Sequence, residues 1–216
     1  RLLEAAIREL DPEAAIIGEE ASAAGIRPDH GARFWLIDPL DGTSGFVRGR
    51  SDYAVNVGLV EEGVPTLWLI LHPPTQTLWT GAIGLGAWRE GPDGERQSIR
   101  TRPLATPVAI ATSHSHLDRH TQAWVDGVPG AAISPSSSAL KFCLLAEGAQ
   151  GAYPRYGPTY EWDTAAGDAI LRAAGGIVLG TDGKPFPYPK PGSLNGPFLA
   201  LGDPAAAAKL PPLPPI

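Results

Sequence analysis

Between residues 34 and 43 the sequence reads Phe-Trp-Leu-Ile-Asp-Pro-Leu-Asp-Gly-Thr, and no other stretch restricts fold and chemistry so tightly. The apolar run Phe34 to Ile37 reads as a short buried strand. Asp38, Pro39, Asp41 and Gly42-Thr43 follow. Proline cannot continue a ladder and glycine permits a tight turn, so the strand is expected to stop where the acids begin. Asp38 and Asp41, three residues apart on a turn, can converge on one cation. Beyond them, the N–H groups of Gly42, Thr43 and Ser44 can face an anion if a helix or nest starts there. Asp-x-x-Asp-Gly is equally good turn chemistry, so these residues alone leave a turn and a metal site open. An EF-hand is excluded, because its alternating acids and closing Glu are absent.

With 216 residues the chain can bury a sizeable core, as one domain or two closely packed halves. Its net charge of −6, without any block of Lys or Arg, argues against a nucleic-acid polymer as partner. An acidic protein that binds phosphates needs local basic residues or metal ions to offset its field. The single cysteine, Cys143, excludes an internal disulfide and suits a reducing compartment, so a cytoplasmic location is expected. No apolar run approaches membrane-spanning length, and the start shows no signal-peptide pattern. The chain opens at Arg1 inside an amphipathic helix pattern and has no Met, which leads us to expect a preceding segment in the natural protein.

Leu2, Leu3, Ala6, Ile7 and Leu10 fall at helical spacing, predicting a helix that ends near Asp11-Pro12. Ala14 to Ile17 is a β-compatible run leading into Gly18-Glu19-Glu20, a second short strand ending in carboxylates. Residues 21–33 read as a loop able to fold over a site. Residues 53–60, 66–71 and 77–82 predict three strands of an antiparallel meander, with Trp68, Trp79 and Trp88 packing on sheet faces. Gly91 to Gly94 is a turn closing this half. A strand at Val108 to Ala111 precedes Ser113-His-Ser-His116, whose histidines lack a third ligand at zinc spacing and read as polar strand-end residues. Ala131 to Ile133 predicts a further strand. A helix over Ala139 to Glu147 follows Ser136-Ser-Ser138, with a serine cap and Lys141 in its first turn. There the helix dipole disfavours a cation unless an anion docks, so these residues alone leave an anion contact and an exposed surface lysine both open. Tyr153-Pro-Arg155 and Gly157-Pro158 suggest a proline-rich turn. Ala165 to Ala174 is helical, capped by Asp163 or Thr164 and ended by Gly175-Gly176. Closing strands at Ile177 to Leu179 and Phe198 to Leu201 complete an α/β protein with two mixed sheets and interleaved helices. The halves span 1–105 and 106–210, and the tail 211–216 is rich in proline.

Three segments, Gly18-Glu-Glu20, Trp35-x-x-Asp38-Pro-x-Asp-Gly-Thr43 and Trp162-Asp-x-Ala-Ala-Gly167, resemble in order and spacing the signatures of the inositol monophosphatase superfamily. Leu140 to Gly148, Tyr153-Pro-Arg155 and Gly157-Pro-Thr159 are similar to its CysQ branch of bacterial 3′(2′),5′-bisphosphate nucleotidases. The resemblance implies a layered α/β/α/β/α sandwich of the sugar-phosphatase type. It also implies hydrolysis of the 3′-phosphate of adenosine 3′,5′-bisphosphate, a small-molecule by-product of sulfate assimilation, to AMP and phosphate. Oligomeric state is left open, a homodimer included.

The same resemblance implies roles by position. Glu19, Asp38 and the Leu40 carbonyl would hold one Mg²⁺, and Asp38, Asp41 and Asp163 a second. Glu19 would reach a third, weaker ion through water. The amides of Gly42 and Thr43 would bind the scissile phosphate, and the Thr43 hydroxyl would orient the attacking water, so that Thr43, Asp41 and Glu19 form the implied catalytic set. Ser138, Lys141 and Arg155 would contact the second phosphate and ribose. Branch members often carry a second serine where this chain has Ala139. The superfamily's upstream Thr-x-x-Asp segment has no match before Glu19, and a protein truly starting at Arg1 is expected to catalyse poorly. Two rival readings remain: an inositol-phosphate or fructose 1,6-bisphosphate phosphatase, and a catalytically silent nucleotide- or metal-binding protein.

Overall fold

A computed structural model describes residues 2–26, 28–114, 117–137 and 139–214. In chain order, α1 (Leu2–Leu10) leads to β1 (Ala15–Gly18), α2 (Glu19–Ala23), β2 (Arg33–Asp41) and α3 (Thr43–Val47). An antiparallel run follows: β3 (Ala54–Glu61), β4 (Val64–His72), β5 (Thr77–Ala82), β6 (Gly86–Glu90) and β7 (Arg96–Ile99). The remainder is β8 (Ala109–Ser113), α4 (Arg119–Asp126), β9 (Ala132–Ser136), α5 (Leu140–Ala146), β10 (Ala152–Arg155), β11 (Thr159–Tyr160), α6 (Glu161–Ala174), β12 (Ile177–Gly180), β13 (Leu194–Asn195) and β14 (Phe198–Leu201).

Strands β1 to β7 form one sheet in sequence order, parallel only between β1 and β2. The second sheet has the order β12-β14-β10-β8-β9, and β11 pairs with β13 in a two-stranded ribbon. Side-chain alternation explains the stacking. Along β3, Val57 and Leu59 pack outward against Ile7 of α1, while Ala54 and Val60 join the interior cluster with Trp68 and Ile70. That cluster continues through Phe142 of α5 and Ala165, Ala169 and Ile170 of α6 to Val178 and Phe198 of the second sheet. Trp124 and Val125 of α4 cover the far face of that sheet against Ile110 and Leu199. The result is an α/β/α/β/α sandwich.

Close approach in the middle layer depends on glycine. A Cβ at Gly167 would overlap the Phe142 ring, so α5 and α6 can meet only with hydrogen at that position. A Cβ at Gly58 would stand 3.3 Å from the Ala166 backbone nitrogen, where α6 crosses β3.

Several local expectations need correction. Strand β2 does not stop at Ile37 but runs to Asp41, and its register against β3 shifts between Asp38 (opposite Asn56) and Asp41 (opposite Ala54). Pro39 sits in that bulge, where its missing N–H costs no ladder bond. Tyr153 to Arg155 is not a turn but the buried strand β10, between β14 and β8. The meander extends through β6 and β7, so Gly91 to Gly94 is a hairpin turn inside it. Helix α4, capped by the Asp118 side chain, was not expected at all. Helix α5 is preceded by Ala139, which makes no side-chain cap. Helix α6 starts at Glu161, ahead of the expected caps Asp163 and Thr164. The expected packing of Trp68 and Trp79 is seen, both buried, and Trp79 Nε1 donates to Glu147 at 2.6 Å. Trp88 instead carries Arg96 over its ring.

Candidate active site

The β2 bulge, the start of α2 and the start of α6 meet at one end of a cleft of about 530 Å³. Ligand-type oxygens of Asp38, Asp41 and Asp163 lie within 4.8 Å of one another there, an arrangement that could hold a metal ion. The fold brings them together by three routes. Asp38 ends the regular part of β2, and its Oδ1 accepts from the Leu40 N–H at 2.9 Å, an Asx-type turn that swings the chain around Pro39. Asp41 lies past the bulge, where its Oδ2 accepts from Asn56 Nδ2 at 2.9 Å and from the Ala139 N–H at 2.6 Å. Asp163 stands in the first turn of α6, and its Oδ2 accepts from the Tyr160 N–H at 2.7 Å. Glu19, the first residue of α2, lines the same cleft.

Electrostatics distinguish this cluster from ordinary turn acids. Asp38 is only 2% exposed. Burial first, then the Asp41 charge, pushes its carboxyl well above the usual carboxylate range, against the pull of the Leu40 N–H. Burial and Asp41 likewise raise Asp163. Glu19 is raised by partial burial and by the charges of Glu20 and Asp41. Among the described residues none of these acids has an ion-pair partner. Clustered carboxylates, Asp38 buried and Asp41 and Asp163 half-buried, are a fit for an added hard cation with oxygen ligands.

Next to the acids, Gly42 adopts a left-handed conformation (φ 95°), which reverses the chain into α3. The Gly45 N–H donates to the Gly42 carbonyl at 2.9 Å, whereas the N–H groups of Thr43 and Ser44 precede the first intrahelical bond. The Thr43 hydroxyl donates to the Leu40 carbonyl at 2.8 Å, leaving its oxygen lone pairs free to accept. Gly42, Thr43 and Leu40 all line the cleft.

Lys141 and Arg155 line the cleft beside the acids. Lys141 is 3% exposed, which excludes the surface-lysine reading. Its Nζ stands 3.5 Å from Ser136 O and 5.0 Å from the centroid of the Tyr153 ring. Burial draws its pKa down to about 8, with Asp41 acting in the opposite sense. Arg155, also buried, donates from Nε to Gly157 O at 3.0 Å and from Nη2 to Pro158 O. Ser138 lies outside the described residues, as does His116. His114 stands 3.6 Å from Asp52 and away from the acids. Of residues 21–33, none that is described lines the cleft.

Asn56 is the site residue that sequence reasoning missed. It shares a β3 face with Ala54, Gly58 and Val60, all buried. A carboxamide on the inward face of an apolar strand was the available signal.

Residues 1–210 match the model of the inositol monophosphatase family. The chain is 37% identical over 193 residues to the 3′(2′),5′-bisphosphate nucleotidase CysQ of Escherichia coli K12, covering 89% of this chain and 77% of that protein. It is 34% identical over 192 residues to human inositol monophosphatase 2, covering 83% and 65%. Among solved structures, CysQ from Bacteroides thetaiotaomicron superposes with a TM-score of 0.79 at 30% identity, covering 92% of this chain and 80% of that one.

Proposed function

The chain belongs to the inositol monophosphatase family, and from that premise we propose that it is a Mg²⁺-dependent phosphatase acting on the 3′-phosphate of adenosine 3′,5′-bisphosphate. The observation that carries this reading is the pairing of two sites in one cleft. Asp38, Asp41 and Asp163 gather at one position, and the buried cations Lys141 and Arg155 line the same cleft. A substrate with two phosphates suits such a cleft: one phosphate is hydrolysed at the acids while the other is held by the cations. The similarity to CysQ proteins supports the same substrate.

Asp38, Asp41, Asp163, Glu19 and the Leu40 carbonyl are the groups that would hold the metal. All are oxygen donors, as Mg²⁺ requires. When bound, the metal supplies the positive charge against which a phosphate dianion and an ionised water can be held together. The residues of the chain do the rest. The amides of Gly42 and Thr43 donate to the phosphate oxygens. Thr43 Oγ1, its proton committed to the Leu40 carbonyl, accepts from the attacking water and aims its lone pair at phosphorus. The water oxygen bonds to phosphorus as the P–O bond to the ribose 3′-oxygen breaks, and that oxygen takes up a proton from solvent in place of the one the water gave up, giving AMP and inorganic phosphate. Lys141 and Arg155 hold the remaining 5′-phosphate, which fixes which ester reaches the acids. Cys143, buried and with its thiol pushed well up by burial, takes no part.

The similarity to human inositol monophosphatase 2 keeps an inositol phosphate as the second reading. Phosphate release from adenosine 3′,5′-bisphosphate, inositol 1-phosphate and fructose 1,6-bisphosphate with Mg²⁺ separates the two. The nucleotide should be turned over with the highest kcat/KM, and a strong preference for either of the others would sink the nucleotidase reading.

A further inference from the structure

Asp163 stands in the first turn of α6, yet its own hydrogen bond reaches back only to Tyr160. The segment 186–195 ties that turn to the rest of the molecule. The Lys190 N–H donates to Glu161 Oε1 at 2.8 Å, and Lys190 Nζ stands 3.5 Å from the same oxygen. Nζ also donates to Pro187 O and lies 3.9 and 4.1 Å from the ring centroids of Phe186 and Tyr188. From β13, Asn195 Nδ2 donates to Tyr160 O at 2.6 Å and stands 3.0 Å from Thr164 Oγ1. The Tyr188 hydroxyl bonds the same Thr164 oxygen at 3.2 Å. Tyr160, Glu161 and Thr164 bracket Asp163 on both sides, and each is bonded to this strap.

The composition of the strap is costly for a purely structural contact. The Glu161 side chain is fully buried and that of Lys190 is 11% exposed. A buried ion pair generally stabilises no better than apolar groups of the same volume, because both charges must leave water. Neither residue lines the cleft, and the proposed hydrolysis uses neither. What directional bonds supply beyond apolar packing is a fixed position for the backbone on which Asp163 is mounted.

We propose that Glu161, Lys190 and Asn195 are positioning residues, a strap that holds the first turn of α6 so that Asp163 stays within ligand reach of Asp38 and Asp41. The inference rests on the metal-dependent reading above. Mg²⁺-type sites tolerate little departure from their geometry, and groups that orient metal ligands are worth about 10–100-fold in metal affinity.

The test is a titration of the whole chain with Mn²⁺ alone, without substrate, reading free Mn²⁺ by electron paramagnetic resonance. The double variant Glu161→Gln/Lys190→Gln and the single variant Asn195→Ala should each bind Mn²⁺ about 10–100-fold more weakly than wild type. Val128→Ala, in the core beneath α4, should lower the Tm and leave Mn²⁺ affinity unchanged, separating positioning from general loss of stability. If the double variant does not fold, Asn195→Ala decides alone. Folded strap variants with affinity within about twofold of wild type would overturn the proposal while leaving the metal reading intact. A wild-type protein that takes up no Mn²⁺ would overturn both.

Discussion

The backbone N–H of Ala139 donates to Asp41 Oδ2 at 2.6 Å, joining residues 98 positions apart. Asn56 Nδ2 donates to the same oxygen at 2.9 Å. Two donors on one oxygen fix the orientation of the carboxylate. They also connect the acid loop of the first sheet to the start of the helix that carries Lys141. Asn56→Ala should therefore lower kcat/KM by about 10–100-fold, with the protein still folded. Asp41→Asn, which removes a charge from the cluster itself, should abolish turnover. Phosphate release alongside thermal melting checks both; wild-type activity in Asn56→Ala would make that bond incidental.

The acid cluster should make stability depend on pH and on metal together. Asp38 and Asp163 have raised pKa values in the folded chain, so between the ordinary carboxylate range near 4 and their folded values the native state binds more protons than the unfolded one. Stability contributed by the protonated cluster is present at low pH and lost as pH rises through the folded values. In EDTA the Tm should fall from pH 5 to pH 8. Each kcal/mol corresponds to about 2–4 °C in a chain of this length. Saturating Mg²⁺ binds the ionised cluster, so it should raise the Tm at pH 8 and flatten that slope. Parallel melting curves against pH with and without Mg²⁺ would show that the cluster holds no cation.

How much of this was legible in the sequence depended on whether the signal was local. The β2 acids stood out because turn chemistry concentrates carboxylates at recognisable spacing, whereas Asp163 read locally as a helix cap and joined them only through the family resemblance. The layered fold followed from family signatures and from apolar runs in the right order. Strand β10 was misread because Pro154 is a turn residue by local rule; tertiary pairing with β14 overrode it. Strand β2 was cut short for the same reason, since a bulge that tolerates Pro39 exists only against a partner strand. Asn56 stood out only as a carboxamide on an apolar strand; what it and the strap around Lys190 bond was hidden because the partners are distant in sequence, 15 residues for Asn56–Asp41 and 29 for Lys190–Glu161.

The glycine that closes the third signature segment makes a prediction about stability alone. Gly167 faces the Phe142 ring where α5 meets α6, and a Cβ there has no room. Ala is the better helix former, so on an exposed helix Gly167→Ala would stabilise. Here overpacking should win and cost about 1–3 kcal/mol, read as a lower midpoint in urea. A midpoint at or above that of wild type would mean the two helices can separate without penalty.

Lys141 provides the sharpest test of substrate choice. Burial draws its pKa down to about 8, so near neutrality it is an ammonium, and above that value it loses its charge. An anionic phosphate beside it favours the charged form. A hydrogen bond to a charged group is worth about 1.5–3 kcal/mol, so Lys141→Ala should raise KM for adenosine 3′,5′-bisphosphate by about 10–100-fold. The change in kcat should be smaller, because the contact is made equally in ground and transition states. Inositol 1-phosphate has no second phosphate, and its KM should not move. For the wild-type enzyme the KM for the bisphosphate should climb as pH rises through about 8, and Lys141→Ala should lose that climb. If the KM for both substrates is unchanged in the variant, Lys141 is a buried partner of the Tyr153 ring and specificity lies elsewhere in the cleft.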